Sequence, residues 1–397
     1  MININQAIEI IMKNLPEKRT KKLPLVDAIG YTIAEDIISP DQIPRFTNSA
    51  MDGYAIRLED TTQDALTVLQ VKGHIYAGDS VENLSLNSGE AYEITTGAPI
   101  PAGANAVVML EDVNRQDDYI EFKKKIKPGT NVRYQGEDIR NGDCAVHQNT
   151  IVTPAIVGLL AALGITTIKV YDMPRVGIIT TGNELVSPEQ SPEIYQIRDA
   201  NLWSLCAALR SMGITPVFTH RLSDNKEVIQ SLLSTLPKLP DFVILTGGIS
   251  AGSRDYVKEE MERFGVKQLF WKVAQKPGKP MYVGIKGKTM FFGLPGNQAA
   301  VLVCFYAYIS LAIRKYMGRS SYRLPSVNAA LNRTVKADTI RTHFLRGIYR
   351  DGKVIVLDKQ DSHMLVSFAM SNALIVLDPR ENGVYQKGAS VQVWLIQ

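Results

Sequence analysis

Between Pro174 and Gly318, short apolar runs that read as strands alternate with longer runs that read as helices. This alternation constrains the fold more than any other feature of the chain. VGIITTG precedes a helix over Leu202 to Met212, TPVFTH precedes a helix after Asp224, FVILTGG precedes one after Asp255, and TMFFGLPG leads into a long apolar helix. Each intervening helix can carry the chain back across the sheet, so successive strands pair in parallel with helices on both faces. Residues 173–320 are expected to form a mostly parallel α/β domain.

In such a sheet, ligands bind at the carboxyl ends of the strands, so the loops leaving the strands are the places to search. Three of them are rich in glycine and polar residues: Thr180-Thr181-Gly182-Asn183-Glu184, the run from Thr246 to Asp255, and Gly293-Leu294-Pro295-Gly296-Asn297. Glycine lets backbone N–H groups approach a phosphate, and a following helix adds partial positive charge at its N-terminus. A phosphorylated ligand is expected, with Thr181, Gly182, Gly247, Gly248, Ser250, Gly252, Pro295, Gly296 and Asn297 as its cradle. One such loop could equally be a tight turn; three on one sheet edge favour binding.

Between the second and third loops stands Lys276-Pro277-Gly278-Lys279-Pro280, a segment whose path two prolines and a glycine restrict. Two ammonium groups on a stiff backbone suit an anion clamp, the alternative being two exposed lysines beside a turn. The nearby carboxylates Glu184, Asp199, Asp224 and Asp255 suggest Mg²⁺, which takes hard oxygen ligands and bridges carboxylates to phosphates. Asp224 and Asp255 are the candidate Mg²⁺ ligands, and each competes with a role as helix N-cap.

A chain of 397 residues exceeds one hydrophobic core, and its 45% hydrophobic and 21% charged residues are ordinary for a globular protein. Apolar residues at Ala7, Ile8, Ile10 and Ile11 predict a first helix. Short alternating runs predict an inserted β-rich domain over 51–143, interrupting a discontinuous N-terminal domain of residues 1–50 and 144–172. Thr153-Pro154 and Gly164 mark the two ends of an apolar helix in that domain. Strands VIVLD, ALIVLD and SVQVWLIQ, separated by glycine turns, predict a C-terminal β domain over 321–397.

The net charge of +4 argues against a nucleic-acid partner, and the run Lys123, Lys124, Lys125 and Lys127 reads as a solvated edge. Cys144, Cys206 and Cys304 show no CxxC spacing and none is expected to bind metal. The first residues lack the pattern of a secretory signal, and Ala155–Leu163 and Ala299–Ile313 fall short of the roughly 20 residues a membrane span needs. A cytoplasmic protein without membrane association is expected.

These loops, read with TNSAMDGYA at 47–55, TTGAPIPAGANAVVMLED at 95–112, RYQGEDIRNGD at 133–143 and SHMLVSFAMSNALIVL at 362–377, resemble the molybdopterin molybdenumtransferases, the MoeA family that includes the E domain of gephyrin. The similarity runs from the first helix to the C-terminal β domain. It implies an enzyme that inserts molybdate into adenylylated molybdopterin with release of AMP, dependent on Mg²⁺. It also implies a homodimer whose site is shared across the interface, with transient contacts to the adenylyltransferase that makes the substrate and to recipient molybdoenzymes. Alternatives are that adenylyltransferase itself, whose α/β domain shares the loops, and a non-catalytic gephyrin-like scaffold.

The resemblance assigns catalytic roles to Asp52, Asp138, Glu184, Asp224 and Asp255, and phosphate or molybdate binding to Lys276 and Lys279. Arg341, Arg346 and Ser362 resemble groups that help hold the oxyanion, for which an arginine fork is well shaped. The chain departs from the family at GLPGNQAA, 293–300, where a proline and a serine usually stand at the places of Gln298 and Ala300. The missing hydroxyl removes a donor to molybdate, which the Gln298 amide could supply in its place. A second departure, Arg198-Asp199-Ala200-Asn201 in place of Tyr-Asp-Ser-Asn, adds positive charge.

Overall fold

The computed structural model describes residues 1–61, 65–235, 239–249 and 256–396. They form two compact units, one of Met1–Lys21 with Val170–Gln397 and one of Lys22–Lys169.

The core of the first unit is a six-stranded sheet in the order Phe218–Leu222, Val176–Thr181, Phe242–Thr246, Thr289–Leu294, Tyr282–Lys286, Lys267–Trp271. The first four strands run parallel, as the alternation predicts, and the last two are added through antiparallel pairings, so that only Tyr282–Lys286 runs against the rest. Val176–Thr181, Phe242–Thr246 and Thr289–Leu294 are buried at every position, which is why they read as unbroken apolar runs. Helices Ala200–Arg210, Lys226–Thr235 and Tyr256–Arg263 supply the crossovers, and Asp199 caps the first by accepting from Leu202 N at 3.0 Å.

The helical run Gln298–Tyr316 is long and apolar enough to pass for a membrane span, yet 78% of it is buried inside the unit. It contains a π-helical turn, Phe305–Ile309. Phe305, Tyr308, Leu311, Ile313 and Tyr316 pack in one core with strand residues Val176, Ile244 and Phe292.

The division differs from the sequence-based boundaries at residues 1–21. Helix Ile4–Lys13 begins with a reciprocal capping box between Asn3 and Gln6, and it buries Ile4, Ala7, Ile8 and Ile11 in the α/β core. The C-terminal strands also join this unit, since Phe344, Phe368, Leu374 and Val376 belong to the same core. Thr342–Arg350 pairs with both Lys353–Val356 and Ala373–Leu377, closing five strands into a ring that also includes Ser326–Leu331 and Ser390–Leu395. The two-residue strand Gln275–Lys276 adds to its edge, in parallel with Thr342 and His343.

The second unit holds a six-stranded sheet in the order Ala106–Met109, Gly53–Ile56, Glu90–Ile94, Thr67–Ile75, Tyr119–Phe122, Asn114–Gln116. Leu69 and Ile75 would share a face in a regular strand, but a register shift between Val71 and His74 lets Thr67–Ile75 give Leu69 to one apolar cluster and Ile75 to another. Helix Pro154–Ala162 carries the expected Thr153 cap and first-turn proline, and Gly164 follows it with φ +75°.

Candidate functional site

Two neighbouring cavities lie in the first unit at the carboxyl edge of its parallel strands. One, of about 330 Å³, is lined by Thr181, Glu184, Asp224, Gly247, Gly248, Ile249, Pro280, Pro295, Gly296 and Asn297. The other, of about 410 Å³, is lined by Gln275 through Pro280, Pro295, Asn297, Ala300, Arg341 and Gln360 through His363. Pro280, Pro295 and Asn297 belong to both walls, so the cavities adjoin.

The glycine cavity is made by backbone. Gly247 and Gly248 have φ of +89° and +58°, in the left-handed region. A Cβ on Gly247 would run into the Thr181 carbonyl oxygen, and one on Gly248 would stand 2.8 Å from Val257 Cγ2. Gly247 N donates to Leu294 O at 3.2 Å, and Gly182 N donates to Leu222 O at 3.1 Å, so each loop is tied to a neighbouring strand end. Asn183 Oδ1 accepts from Asp224 N at 3.0 Å, linking the first loop to the start of helix Lys226–Thr235. Asn201 Nδ2 donates to Gly296 O at 2.7 Å and fixes the third loop.

The described lining of this cavity carries two carboxylates, Glu184 and Asp224, and no cation. Oxygen donors without a basic neighbour in the lining, beside Gly247 and Gly248 where no Cβ would fit, form the donor set Mg²⁺ takes when a phosphate supplies its remaining ligands. Ser250, Gly252 and Asp255 lie outside the described residues.

The second cavity has the opposite character. Lys276, Lys279 and Arg341 line it against one carboxylate, Asp361, with His363 alongside. Lys276 and Lys279 are exposed, while Pro277 and Gly278 between them are buried. Gly278 has φ +91°, and a Cβ there would lie 2.6 Å from Gln275 Nε2 and 2.7 Å from Cys304 Sγ. Gln275, fully buried, donates through Nε2 to Pro277 O and Gly278 O at 3.2 Å each, and its Oε1 accepts from the Tyr308 hydroxyl. Burial pushes the Cys304 thiol up to about 12 and the Tyr308 hydroxyl well above its usual value, so both stay neutral beneath the clamp. The lysine segment therefore rests on the π-helical turn through one glutamine.

Across the cavity, Asn297 Nδ2 donates to Ser362 Oγ at 2.6 Å, and Ala299 N donates to Ser362 O at 3.0 Å. Arg341 pairs with Asp338, which its Nε and a second guanidinium nitrogen approach at 2.9 and 2.5 Å. That pairing holds the Asp338 carboxyl well below the usual range.

Arg346 is placed differently. It is fully buried and does not line the cavity. It donates to Lys359 O at 3.0 Å, Asp361 O at 3.1 Å and Ser367 Oγ at 3.2 Å. Burial lowers its pKa to about 10. It props the 359–361 turn that presents Ser362.

In the second unit, Asp52 is exposed and its Oδ1 accepts from Thr96 N at 2.6 Å and Thr96 Oγ1 at 2.9 Å, which lowers its pKa. Asp138 is exposed, and its backbone N donates to Ile43 O at 3.0 Å.

Gln275, Gln360, Asp361 and His363 were not singled out by sequence reasoning. Gln275 directly precedes KPGKP, but a lone glutamine carries no chemical signature. Ala300, one of the departures, does line the lysine cavity.

Residues 2–164 match the MoeA N-terminal region (domain I and II), residues 177–315 the "Probable molybdopterin binding domain", and residues 328–396 the MoeA C-terminal region (domain IV). A protein of Haemophilus influenzae named molybdopterin molybdenumtransferase is 36% identical, over 99% of this chain and 98% of its own. A Bacillus subtilis protein of the same name is 31% identical, over 100% and 94%. The crystal structure of the molybdopterin biosynthesis MoeA protein from Pyrococcus horikoshii OT3 superposes with a TM-score of 0.86 at 31% identity, covering 100% of both chains.

Proposed function

This chain belongs to the MoeA family of molybdopterin molybdenumtransferases, and from that membership we propose how its site works: it inserts molybdate into adenylylated molybdopterin and releases AMP. The observation that carries the reading is the pair of adjoining cavities with opposite linings, glycines and carboxylates in one and cations in the other. The pyrophosphate of the substrate belongs against Thr181, Gly182, Gly247, Gly248, Pro295, Gly296 and Asn297. Glu184 and Asp224 would hold Mg²⁺, which supplies charge neutralisation on the phosphates when bound. Molybdate, the substrate oxyanion, belongs between Lys276, Lys279, Arg341 and Ser362.

On this reading the protein's contribution is positioning and electrostatics. The lysine ammonium groups offset the charge on the oxyanion, and the shared wall of Pro280, Pro295 and Asn297 keeps it beside the phosphates. Arg346 acts indirectly, by holding the turn before Ser362. Ser250, Gly252 and Asp255 belong to the same proposal through their place in the second glycine loop.

A homodimer is part of the proposal, with Asp52 and Asp138 serving the site of the other subunit. Mixing an Asp52→Ala chain with a Lys279→Ala chain restores activity if the site is shared in this way. Transient docking to the adenylyltransferase and to recipient enzymes, and a cytoplasmic setting, complete it.

The test compares two variants in a molybdate titration with adenylylated molybdopterin and Mg²⁺. Lys279→Ala should raise the half-saturating molybdate concentration while leaving AMP affinity within about twofold, and Glu184→Gln should do the reverse for Mg²⁺. If both variants shift both ligands alike, the division of labour between the cavities is wrong. Adenylylation of molybdopterin from ATP by the purified chain would instead favour the adenylyltransferase activity.

A further inference from the structure

The second unit contains a side-chain cluster with no part in the site above. Strand Ile37–Ile38 pairs antiparallel with Cys144–Val146, with Cys144 opposite Ile38 and Val146 opposite Ile37. One strand therefore spends an extra residue between the two pairs, which is a β-bulge. In a regular strand, side chains three apart point to opposite faces, so Cys144 and His147 would diverge. The extra residue restores the parity, and Cys144 Sγ lies 3.3 Å from His147 Nδ1. Asp36, directly before the first strand, brings its Oδ1 to 3.7 Å from the same nitrogen. All three donor atoms lie within 4.8 Å of one another, the one such trio among the described residues.

The sulfur–nitrogen separation, and the nitrogen–oxygen one to within a small side-chain adjustment, are those of a coordination shell. Zinc bonds of about 2.3 Å to sulfur, 2.0–2.1 Å to nitrogen and 2.0–2.2 Å to oxygen, arranged as a tetrahedron, require ligand atoms roughly 3.3–3.6 Å apart. His147 and Asp36 are exposed, so water can reach both. A single ring nitrogen either accepts from the thiol or donates to the carboxylate, whereas a cation at the centre answers all three groups. The carboxylate is also held from behind. Gln148 N donates to Asp36 Oδ1 at 2.6 Å, and Gln148 Nε2 donates to Ala34 O at 2.7 Å.

We propose that Asp36, Cys144 and His147 form a Zn²⁺ site, with water as the fourth ligand. Thiolate and carboxylate together balance the ion's charge, and the mixed sulfur, nitrogen and oxygen set suits a borderline-soft divalent metal. The ion clips the two short strands at the point where the bulge breaks their ladder. The sequence expectation that no cysteine binds metal rested on the absence of a CxxC; here the ligands come from two separated segments joined by strand pairing.

The test uses the full-length chain, stripped with a chelator and titrated with Zn²⁺ by calorimetry, then with Co²⁺ in the spectrophotometer. One equivalent of Zn²⁺ should bind per chain, and Cys144→Ser and His147→Ala should each weaken it at least tenfold. Co²⁺ should give a thiolate-to-cobalt charge-transfer band that Cys144→Ser abolishes, and Zn²⁺ should slow alkylation of Cys144. Asp36→Asn, close in shape, should weaken binding in a chain whose circular dichroism matches wild type. Absence of stoichiometric binding by the wild type, or equal affinity in Cys144→Ser, overturns the proposal.

Discussion

Replacing Gln275 by Leu should detach the lysine clamp from its support while leaving the glycine cavity intact. The side chain is fully buried, and leucine has a similar volume without polar atoms. Three oxygens lose the amide of Gln275: the Pro277 and Gly278 carbonyls, each bonded at 3.2 Å, and the Tyr308 hydroxyl, while the Gly278 carbonyl keeps the weak donor of the Cys304 thiol at 3.9 Å. A buried polar group left unsatisfied costs about 1–3 kcal/mol. The Tyr308 hydroxyl sits in the core and cannot reach water, so its cost stays as lost stability. The two carbonyls lie next to an open cavity and can turn towards it, which moves Lys276 and Lys279. We expect a stability loss of about 1–3 kcal/mol in urea unfolding. Half-saturating molybdate in the turnover assay should rise about tenfold, equivalent to about 1.4 kcal/mol. Tyr308→Phe is the control, because it keeps both bonds to the loop and should lose stability with less than about a threefold change in molybdate requirement. Equal molybdate shifts in the two variants would refute the idea that Gln275 Nε2 sets the clamp's position.

Other outcomes follow from the same geometry. Ala300→Ser places a hydroxyl on the wall of the cation cavity and should lower half-saturating molybdate by about tenfold, the effect of one hydrogen bond to a charged group worth about 1.5 kcal/mol; an unchanged titration would mean the position faces away from the oxyanion. Asp224→Asn should raise the Mg²⁺ requirement of AMP release, and a variant with wild-type Mg²⁺ dependence would remove Asp224 from the metal's ligands. Burial, and then the nearby Lys276 charge, push the His343 pKa down to about 4, so the unfolded chain binds the proton more readily between about 4 and 6.5. Stability should therefore rise with pH through that window and fall on acidification below 6.5, by up to about 3 kcal/mol, and His343→Gln should flatten the profile in unfolding titrations.

The legible and illegible parts of this molecule divide on physical grounds. Strands such as Phe242–Thr246 are buried on both faces and announce themselves as apolar runs, and a glycine with positive φ after a strand, such as Gly247, marks a loop whose backbone must approach something. Lys276 and Lys279 were visible because prolines and a glycine surround them. Burial was not visible. Arg346 carries the same charge as Arg341, yet it spends its donors on carbonyls in the interior. The first helix was read correctly as a helix, but its partner could not be, since four apolar residues at helical spacing fit any apolar face. Gln275 escaped notice because its role depends on Tyr308, 33 residues further along the chain. The neighbourhood of Cys144 depended on a bulge that no residue type encodes.

The most direct test of the central claim is stoichiometric. In a single turnover with adenylylated molybdopterin and Mg²⁺, AMP released and molybdenum incorporated should appear together, one for one, and both should vanish when molybdate is withheld. AMP release that proceeds at the same rate without molybdate, or substrate that binds and yields neither product, would contradict a site in which oxyanion and pyrophosphate share the wall of Pro280, Pro295 and Asn297.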